Sequence, residues 1–292
     1  MIELPADIKN VNSLTDWVEL CALEQDDNIF SFNDVTNALQ IGLGSAEAKE
    51  LSYEAFIELE KRKLYSGEAY PFNLKSAHLL SVNRTKEAHL PYLFCLFISY
   101  YGGNNKLNNV DPRLLFEELS GIAAKNYFDG QVYIFGTSRK NKGQKIFAEA
   151  VNELASKIGE GVGIRNIRTL SKKDDHVDLV AWKDFIDKRE SKLVVFGQCA
   201  TGKNWKDKLS ELDAPAFWSQ WLKESNVSPL FRSFFIPFCL TDDENGEEWK
   251  YCGRYGGIFF DRCRVSYWAS RSPHSFGNNS AFRKWSNQFF NF

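Results

Sequence analysis

Two polar residues with oxygen-bearing side chains stand at the ends of apolar runs that are typical of β-strands. Asp178 lies at the head of a predicted strand over 177–182, and Gln198 lies twenty residues later, at the end of Leu193–Cys199. The charged segment 183–192 has the length and polarity of a hairpin connection, so the two strands are expected to be neighbours. Mg²⁺ prefers oxygen ligands, and it can activate water and stabilise charge on a phosphate. The spacing therefore predicts a Mg²⁺ (or Mn²⁺) site at one edge of a sheet.

The charge of the chain is distributed unevenly, although the net charge is only −2. Residues 1–137 carry 11 Lys and Arg against 19 Asp and Glu, whereas residues 138–208 carry 16 against 10. A basic surface suits a polyanion, so the middle of the chain is expected to face DNA phosphates, with Lys172 and Lys173 among the contacts. The alternative is a solvated lysine-rich surface with no partner.

The order of elements around Asp178 resembles that of the PD-(D/E)xK nuclease superfamily, and within it the Mrr-like restriction branch, in which Gln replaces the second acid. The resemblance covers about 113–209 and rests on the helical sequence FAEAVNELASKIGEG, followed by VDLVAW and VVFGQCA. A helix, an Asp strand and an (E/Q)xK strand follow one another in that superfamily. The resemblance implies a metal-dependent DNA nuclease, acting in defence against foreign DNA as a subunit of a multi-protein complex.

The resemblance assigns roles to individual residues and also meets a departure. Asp178 and Gln198 would hold the metal, and a lysine is expected two positions after Gln198, where this chain has Ala200. Lys203 and Lys208 follow shortly afterwards and are the candidates to polarise the attacking water and stabilise the pentacovalent phosphate. Without either lysine the protein would be a catalytically silent, nuclease-like scaffold that binds DNA or a partner.

A helical acid is also implied by the resemblance. Glu153 and Glu149 lie four residues apart on one predicted helix, and Glu117 and Glu118 lie on the preceding one. Counting 100° per residue, Glu153 lies closer than Glu149 to the apolar stripe of its helix. We therefore expect Glu153 to be the further metal ligand or the base, with a solvated helix face as the alternative.

The same stretch admits a second interpretation as a phosphate-binding loop. Residues 197–204 read GQCATGKN, which matches GxxxxGK[ST] except at its last position, and 258–261 read as an apolar strand ending in an acid. Asn204 stands where a hydroxyl should bind Mg²⁺, and the loop comes late in the chain. We predict a strand and turn here rather than a nucleotide-binding loop.

Three further polar residues could reach the site. Residues 257–261 and 264–268 are predicted to be sheet segments, which would place Arg262 and Arg264 at alternate positions where both could contact phosphate. The alternative is that these arginines only flank the sheet. His176 lies two residues before Asp178 and could approach the metal, although a solvated turn residue is the simpler expectation.

The elements that must position these residues fall into two groups. The first hundred residues are predicted to be helical, ending in a buried helix over Leu90–Tyr101 that Gly102 and Gly103 stop. From Arg113 onwards, helices alternate with strands. We predict an α+β fold in which a helical accessory or partner-binding region, 1–112, precedes a restriction-endonuclease-like domain, 113–292, whose mixed sheet is flanked by helices.

Composition narrows the class of protein. The 292 residues are 43% hydrophobic and 25% charged and include 24 Phe, which excludes a disordered chain. No apolar run is long enough to span a bilayer, and the first residues, MIELPADIKN, lack a secretory signal. The six cysteines form no CxxC pair and are expected to be reduced core residues. The expectation is a cytoplasmic protein without a membrane partner.

Overall fold

The computed structural model describes the greater part of the chain, with several short gaps. The described residues are 2–75, 78–82, 86–104, 110–135, 147–165, 176–240, 245–272, 275 and 279–286. Within them the fold is mixed α+β, with ten α-helices and two sheets, one of three strands and one of five. This confirms the predicted α+β class, while the restriction-endonuclease-like fold stays a prediction.

The N-terminal region contains four helices: α1 (Val11–Glu24), α2 (Phe32–Gln40), α3 (Ser45–Ser66) and α4 (Leu90–Tyr101). Local sequence accounts for their ends. Ser31 and Asp34 form the capping box of α2, in which each side chain satisfies the backbone N–H of the other residue. Gly102 ends α4 with a positive φ of 87°, as its position after the apolar run predicts.

The prediction of a purely helical N-terminal region is wrong. Three short strands, β1 (Ile29–Ser31), β2 (Phe72–Lys75) and β3 (Leu79–Val82), form an antiparallel sheet in the order β1-β3-β2. Each strand has only three or four residues, which is too short for a recognisable alternation of apolar and polar positions. Pairing with the other strands, rather than local sequence, therefore determines these elements.

The larger sheet contains the residues predicted to do chemistry, and its strand order is β4-β5-β6-β7-β8. Neighbouring strands are antiparallel from β4 to β6 and parallel from β6 to β8. The elements in chain order are α5 (Pro112–Phe128), β4 (Gln131–Ile134), α6 (Phe147–Ile158), β5 (Leu179–Lys183), β6 (Leu193–Cys199), α7 (Ala214–Trp221), β7 (Leu230–Phe235), α8 (Glu247–Gly256), β8 (Ile258–Phe260), α9 (Arg262–Ala269) and α10 (Ser280–Ser286).

The predicted hairpin between the two central strands is confirmed. Strands β5 and β6 pair antiparallel, with Lys183 opposite Leu193 and Leu179 opposite Gly197. The charged connection 184–192 joins them directly. Because each strand is apolar on both faces, the pair lies at the centre of the sheet and is covered on both sides.

The predicted sheet segment 264–268 is wrong, because these residues lie in helix α9. The Asp261 side chain accepts a hydrogen bond from the Arg264 backbone N–H and caps the helix N-terminus. The aromatic and branched residues Val265, Tyr267 and Trp268 favour a strand locally. The capping signal of Asp261 and tertiary packing against α5 outweigh that preference.

Helices cover both faces of the five-stranded sheet. Leu179, Ala181 and Val195 face a core that includes α5, whereas Val180 and Phe196 face a second core built with α6 and α7. The α5-side core continues into α1, α3 and α4, so it crosses the predicted boundary after residue 112. The two proposed domains thus share one hydrophobic core, and the boundary itself stays a prediction.

A buried ion cluster also joins the two regions. We use this name for Asp16, Glu19, Glu58, Arg62 and Arg262, all 4% exposed or less. Both terminal nitrogens of Arg262, on α9, donate to the Asp16 carboxylate on α1 at 2.8 and 2.9 Å. Arg62, on α3, donates to Asp16 at 2.7 Å and to Glu19 at 2.9 Å. Burial raises the pKa of Asp16, but the charges of Arg262 and Arg62 outweigh it and hold that pKa below its usual value.

Candidate functional site

Asp178 and Gln198 lie next to one another at the same end of β5 and β6, as predicted. The Asp178 backbone N–H donates to the Gly197 carbonyl at 2.9 Å, and the Asp178 carboxylate accepts the Cys199 N–H at 2.6 Å. Gly197 permits this close approach, because a Cβ there would lie 2.7 Å from a methyl group of Leu179. The carboxylate is thereby fixed against the end of β6.

The Gln198 side chain is buried but only half satisfied. It follows Phe196 on the α7-facing side of β6, is 4% exposed, and its Nε2 donates to a Glu211 carboxylate oxygen at 3.0 Å. Its Oε1 is buried and has no hydrogen-bond partner among the described residues. An unmatched buried oxygen costs roughly 1–3 kcal/mol, so this atom indicates a place where a ligand would be stabilised.

Glu211 and His176 also belong to this group. The sequence pointed to His176 but not to Glu211. His176 Nδ1 lies 3.1 Å from the same Glu211 oxygen that receives the Gln198 amide. Glu211 follows a short 3₁₀ helix, Trp205–Lys208, which brings it back to the end of β6. We call Asp178, Gln198, Glu211 and His176 the sheet-end site.

Two carboxylates act on Cys199, on the α5-facing side of the sheet end. Cys199 packs against the α5-side core, where burial raises the pKa of its thiol and the Asp178 and Glu117 carboxylates raise it further. Glu117 belongs to α5, the helix that packs on this side of the sheet. Carboxylates from β5 and α5 thus act on the same sulfur.

The structure places Glu153 with other partners. Its carboxylate is half-buried on α6, 3.4 Å from the Tyr133 hydroxyl and 3.6 Å from Lys157 Nζ. Tyr133 lies on β4, and Lys157 lies on α6 itself. Neither contact joins Glu153 to the sheet-end site, so its role as a metal ligand stays a prediction.

The two candidate lysines lie in different surroundings. Lys203 is exposed and lines a cleft of about 770 Å³ whose other residues include Asp16, Tyr100 and Cys239. Lys208 is half-buried at the end of the 3₁₀ helix that leads to Glu211. The Lys208 carbonyl accepts the Glu211 N–H at 3.1 Å, so the Lys208 backbone is joined to the residue that holds the Gln198 amide.

Arg262 does not have the role that the sequence suggested. It is wholly buried, and its Nε donates to the Pro237 carbonyl at 2.9 Å while its other nitrogens hold Asp16. The predicted contact of Arg262 with phosphate is therefore wrong, because a strand was assumed where α9 begins. Arg264 is exposed; its guanidinium lies 4.3 Å from the centre of the Trp249 ring and donates to the Phe259 carbonyl.

Lys172 and Lys173 lie outside the described residues, so their predicted contact with DNA stays a prediction. In sequence, residues 166–175 come directly before His176 of the sheet-end site. Residues 136–146 follow Phe135, at the adjoining end of β4. In sequence, 136–146 carries four basic residues and no acid, whereas 166–175 carries Arg168, Lys172 and Lys173 against Asp174 and Asp175.

In the segment that resembles a phosphate-binding loop, 197–204, two backbone N–H groups already donate to other residues. The Cys199 N–H donates to Asp178, and the Ala200 N–H donates to the Phe235 carbonyl at 2.9 Å. Gln198 and Cys199 belong to strand β6, and a four-residue 3₁₀ helix rather than an α-helix follows Asn204. The backbone therefore offers no ring of free N–H groups to a phosphate here.

The donor set fits a hard cation held largely by water. Across the described ranges, no group of three or more His, Cys, Asp or Glu side chains is placed to hold a metal ion. Mg²⁺, however, commonly binds through one or two carboxylates and keeps several waters. Asp178, the unmatched Oε1 of Gln198 and the Glu211 carboxylate supply oxygen ligands of that kind.

Comparisons with protein-family models, with curated proteins and with solved structures find no match to this chain. Among the described helices, none has both the length and the apolar character needed to cross a membrane.

Proposed function

We propose that this protein is a metal-dependent DNA nuclease that hydrolyses phosphodiester bonds at the sheet-end site. The observation that carries the proposal is the buried, unmatched Oε1 of Gln198, at the end of β6 whose Cys199 N–H the Asp178 carboxylate accepts. The order of helix, Asp strand and Gln strand, which the resemblance to the PD-(D/E)xK superfamily implies, supports it. A role as a subunit of a defence complex against foreign DNA belongs to the same proposal.

Each residue of the site has a role in this proposal. Asp178 and Gln198 bind Mg²⁺, and Glu211 orients the Gln198 amide through the hydrogen bond to Nε2. A bound Mg²⁺ would lower the pKa of a coordinated water and stabilise negative charge on the phosphate. His176, which faces the Glu211 carboxylate, holds a proton close to the site. Lys208 is the candidate that approaches the phosphate.

A second candidate function, a catalytically silent scaffold that binds DNA or a partner, is favoured by one observation. The lysine expected two positions after Gln198 is replaced by Ala200, which is 2% exposed and packs in a core with Trp205. Lys203 lines the cleft instead of the sheet-end site. A protein lacking the lysine would retain phosphate affinity while losing most of the rate.

The test is cleavage of plasmid and linear DNA by the purified protein, with Mg²⁺, with Mn²⁺ and with a chelator. We expect metal-dependent cleavage by the wild type and a loss of at least about 100-fold in Asp178→Asn, because the charge that binds the metal is removed. This substitution keeps an oxygen that can accept the Cys199 N–H, so the fold is expected to survive.

Asp129→Asn is the matched control, since Asp129 is an exposed carboxylate paired with Lys183 at the opposite end of β5. It should cleave like the wild type. Equal rates for the wild type and a folded Asp178→Asn would remove Asp178 from the site, and a wild type that neither cleaves nor binds DNA would overturn the nuclease proposal. DNA binding without cleavage in the wild type would favour the silent scaffold instead.

A further inference from the structure

Two cysteines from different elements meet in the interior, away from the sheet-end site. The sulfur of Cys239, in the loop after β7, lies 3.8 Å from the sulfur of Cys263, in the first turn of α9. A disulfide has an S–S length of about 2.05 Å, so the sulfurs need to approach by roughly 1.8 Å to bond. Rotation of the side chains, with a small shift of the loop, supplies a movement of that size.

The pair is reachable from solvent on one side only. Cys239 is 5% exposed and lines the 770 Å³ cleft, together with Asp16, Ser99 and Phe238. Cys263 is 3% exposed and does not line this cleft. A small oxidant entering the cleft would therefore meet the Cys239 sulfur first.

Positive charge lies beside the same sulfur. Burial disfavours the charges of Arg62 and Arg262, nearby acidic groups such as Asp16 hold the pKa of both guanidinium groups well above the usual value, and Cys239 interacts electrostatically with both. Both arginines are thus within electrostatic reach of Cys239. Guanidinium groups beside a partly accessible thiol are typical of redox-active cysteines, whereas inert structural cysteines have apolar surroundings.

We propose that Cys239 and Cys263 form a redox-active dithiol, in which Cys239 reacts with a hydroperoxide and Cys263 resolves the product to a disulfide. Three observations carry this proposal: the 3.8 Å separation of the sulfurs, the opening of the cleft at Cys239 alone, and the two arginines beside it. The four other cysteines lack a sulfur partner in the described structure.

The reaction is balanced in two steps. The Cys239 sulfur attacks the terminal oxygen of the hydroperoxide, the O–O bond breaks, and the leaving oxygen takes the proton of the thiol and departs as the alcohol (or as water, from hydrogen peroxide), giving a sulfenic acid. The Cys263 sulfur then attacks the Cys239 sulfur, loses its proton, and displaces hydroxide, which leaves as water. Two thiols are oxidised by two electrons, and one hydroperoxide is reduced to alcohol and water.

The disulfide would lock the loop after β7 to α9. Arg262, which anchors the buried ion cluster, precedes Cys263 directly, and its Nε donates to the Pro237 carbonyl on the same loop. Oxidation therefore acts on the connection between the two regions of the molecule.

The experiment treats the folded wild-type protein with hydrogen peroxide, alkylates the remaining thiols, and maps the cysteines by non-reducing mass spectrometry. The wild type should fall from six free thiols to four and yield one cross-link, Cys239 to Cys263, which dithiothreitol reverses. Cys252→Ser is the matched control, because Cys252 is buried in a separate core, and it should retain the cross-link.

Two variants separate the roles of the sulfurs. Cys263→Ser should form a sulfenic acid on Cys239 that dimedone labels, whereas Cys239→Ser should leave Cys263 unlabelled. Absence of the cross-link in the folded wild type would overturn the proposal, and so would dimedone labelling of Cys263 in Cys239→Ser. If the variants do not fold, the wild-type cross-link alone decides the outcome.

Discussion

The buried ion cluster and the sheet-end site both gather charged and polar side chains, but they differ in how completely those groups are paired. In the cluster, Asp16 accepts from Arg62, Arg262 and Ser99, so both of its carboxylate oxygens are occupied. At the sheet-end site, the side-chain oxygen of Gln198 is buried without a partner among the described residues. Glu211, which holds the Gln198 amide, is exposed to solvent.

The difference separates a structural role from a ligand-binding role. A fully paired buried charge has nothing left to offer a ligand, and its removal leaves an uncompensated charge in the interior. An incompletely paired polar atom at the end of two strands is costly unless something binds there. We therefore expect substitutions in the cluster to change stability and substitutions at the sheet end to change binding.

The largest expected effect is that of Arg262→Ala. Removing the guanidinium leaves the Asp16 carboxylate facing only Arg62 and Ser99, which should lower the free energy of unfolding by about 3–5 kcal/mol. Urea unfolding followed by circular dichroism measures this loss. Arg264→Ala, two residues later on α9, removes an exposed contact with the Trp249 ring and should cost only about 1 kcal/mol. Equal losses in the two variants would show that the cluster is not structural.

His89 is a buried group that the fold keeps neutral instead of pairing it with an opposite charge. His89 is 4% exposed, and burial, helped by the charge of Lys86, lowers its pKa to about 4. The unfolded chain takes up a proton near pH 6.5 and the folded chain does not, so stability is lost as the pH falls from 6.5 to 4. Between pH 7 and 4.5 the loss from this group should be on the order of 2–3 kcal/mol.

His89→Asn isolates this contribution, because an amide oxygen can still accept the Lys86 N–H that His89 Nδ1 accepts at 3.2 Å. Urea midpoints measured across this pH range should fall more steeply for the wild type than for the variant. Parallel curves would mean that folding does not lower the pKa of His89.

The smallest expected effect tests the sheet-end site by ligand binding rather than by activity. Mg²⁺ at ten times its dissociation constant should raise the free energy of unfolding of the wild type by about 1.4 kcal/mol. Asp178→Asn and Gln198→Leu should lose this gain, and Asp129→Asn should keep it. The measurement is urea unfolding with MgCl₂ against NaCl of equal ionic strength. If Mg²⁺ leaves the free energy of unfolding of the wild type unchanged, the sheet-end site does not differ from the buried ion cluster in binding.

The part of the site that depends on local pattern could be predicted from the sequence. Two apolar runs joined by a short charged connection favour a hairpin, and that hairpin brings Asp178 to the end of β6 that carries Gln198. The ends of α2 and α4 likewise follow from a capping box and a glycine, because these signals act over three or four residues.

Only the tertiary structure decided the remaining contacts, because they join residues that are distant in sequence or carry no local signal. Arg262 meets Asp16 across 246 positions, and its place on a helix instead of a strand depends on the cap at Asp261 and on packing against α5. Glu211 reaches Gln198 through the turn of a 3₁₀ helix. Which buried polar atoms find partners is a property of the assembled core, since each partner comes from a different element.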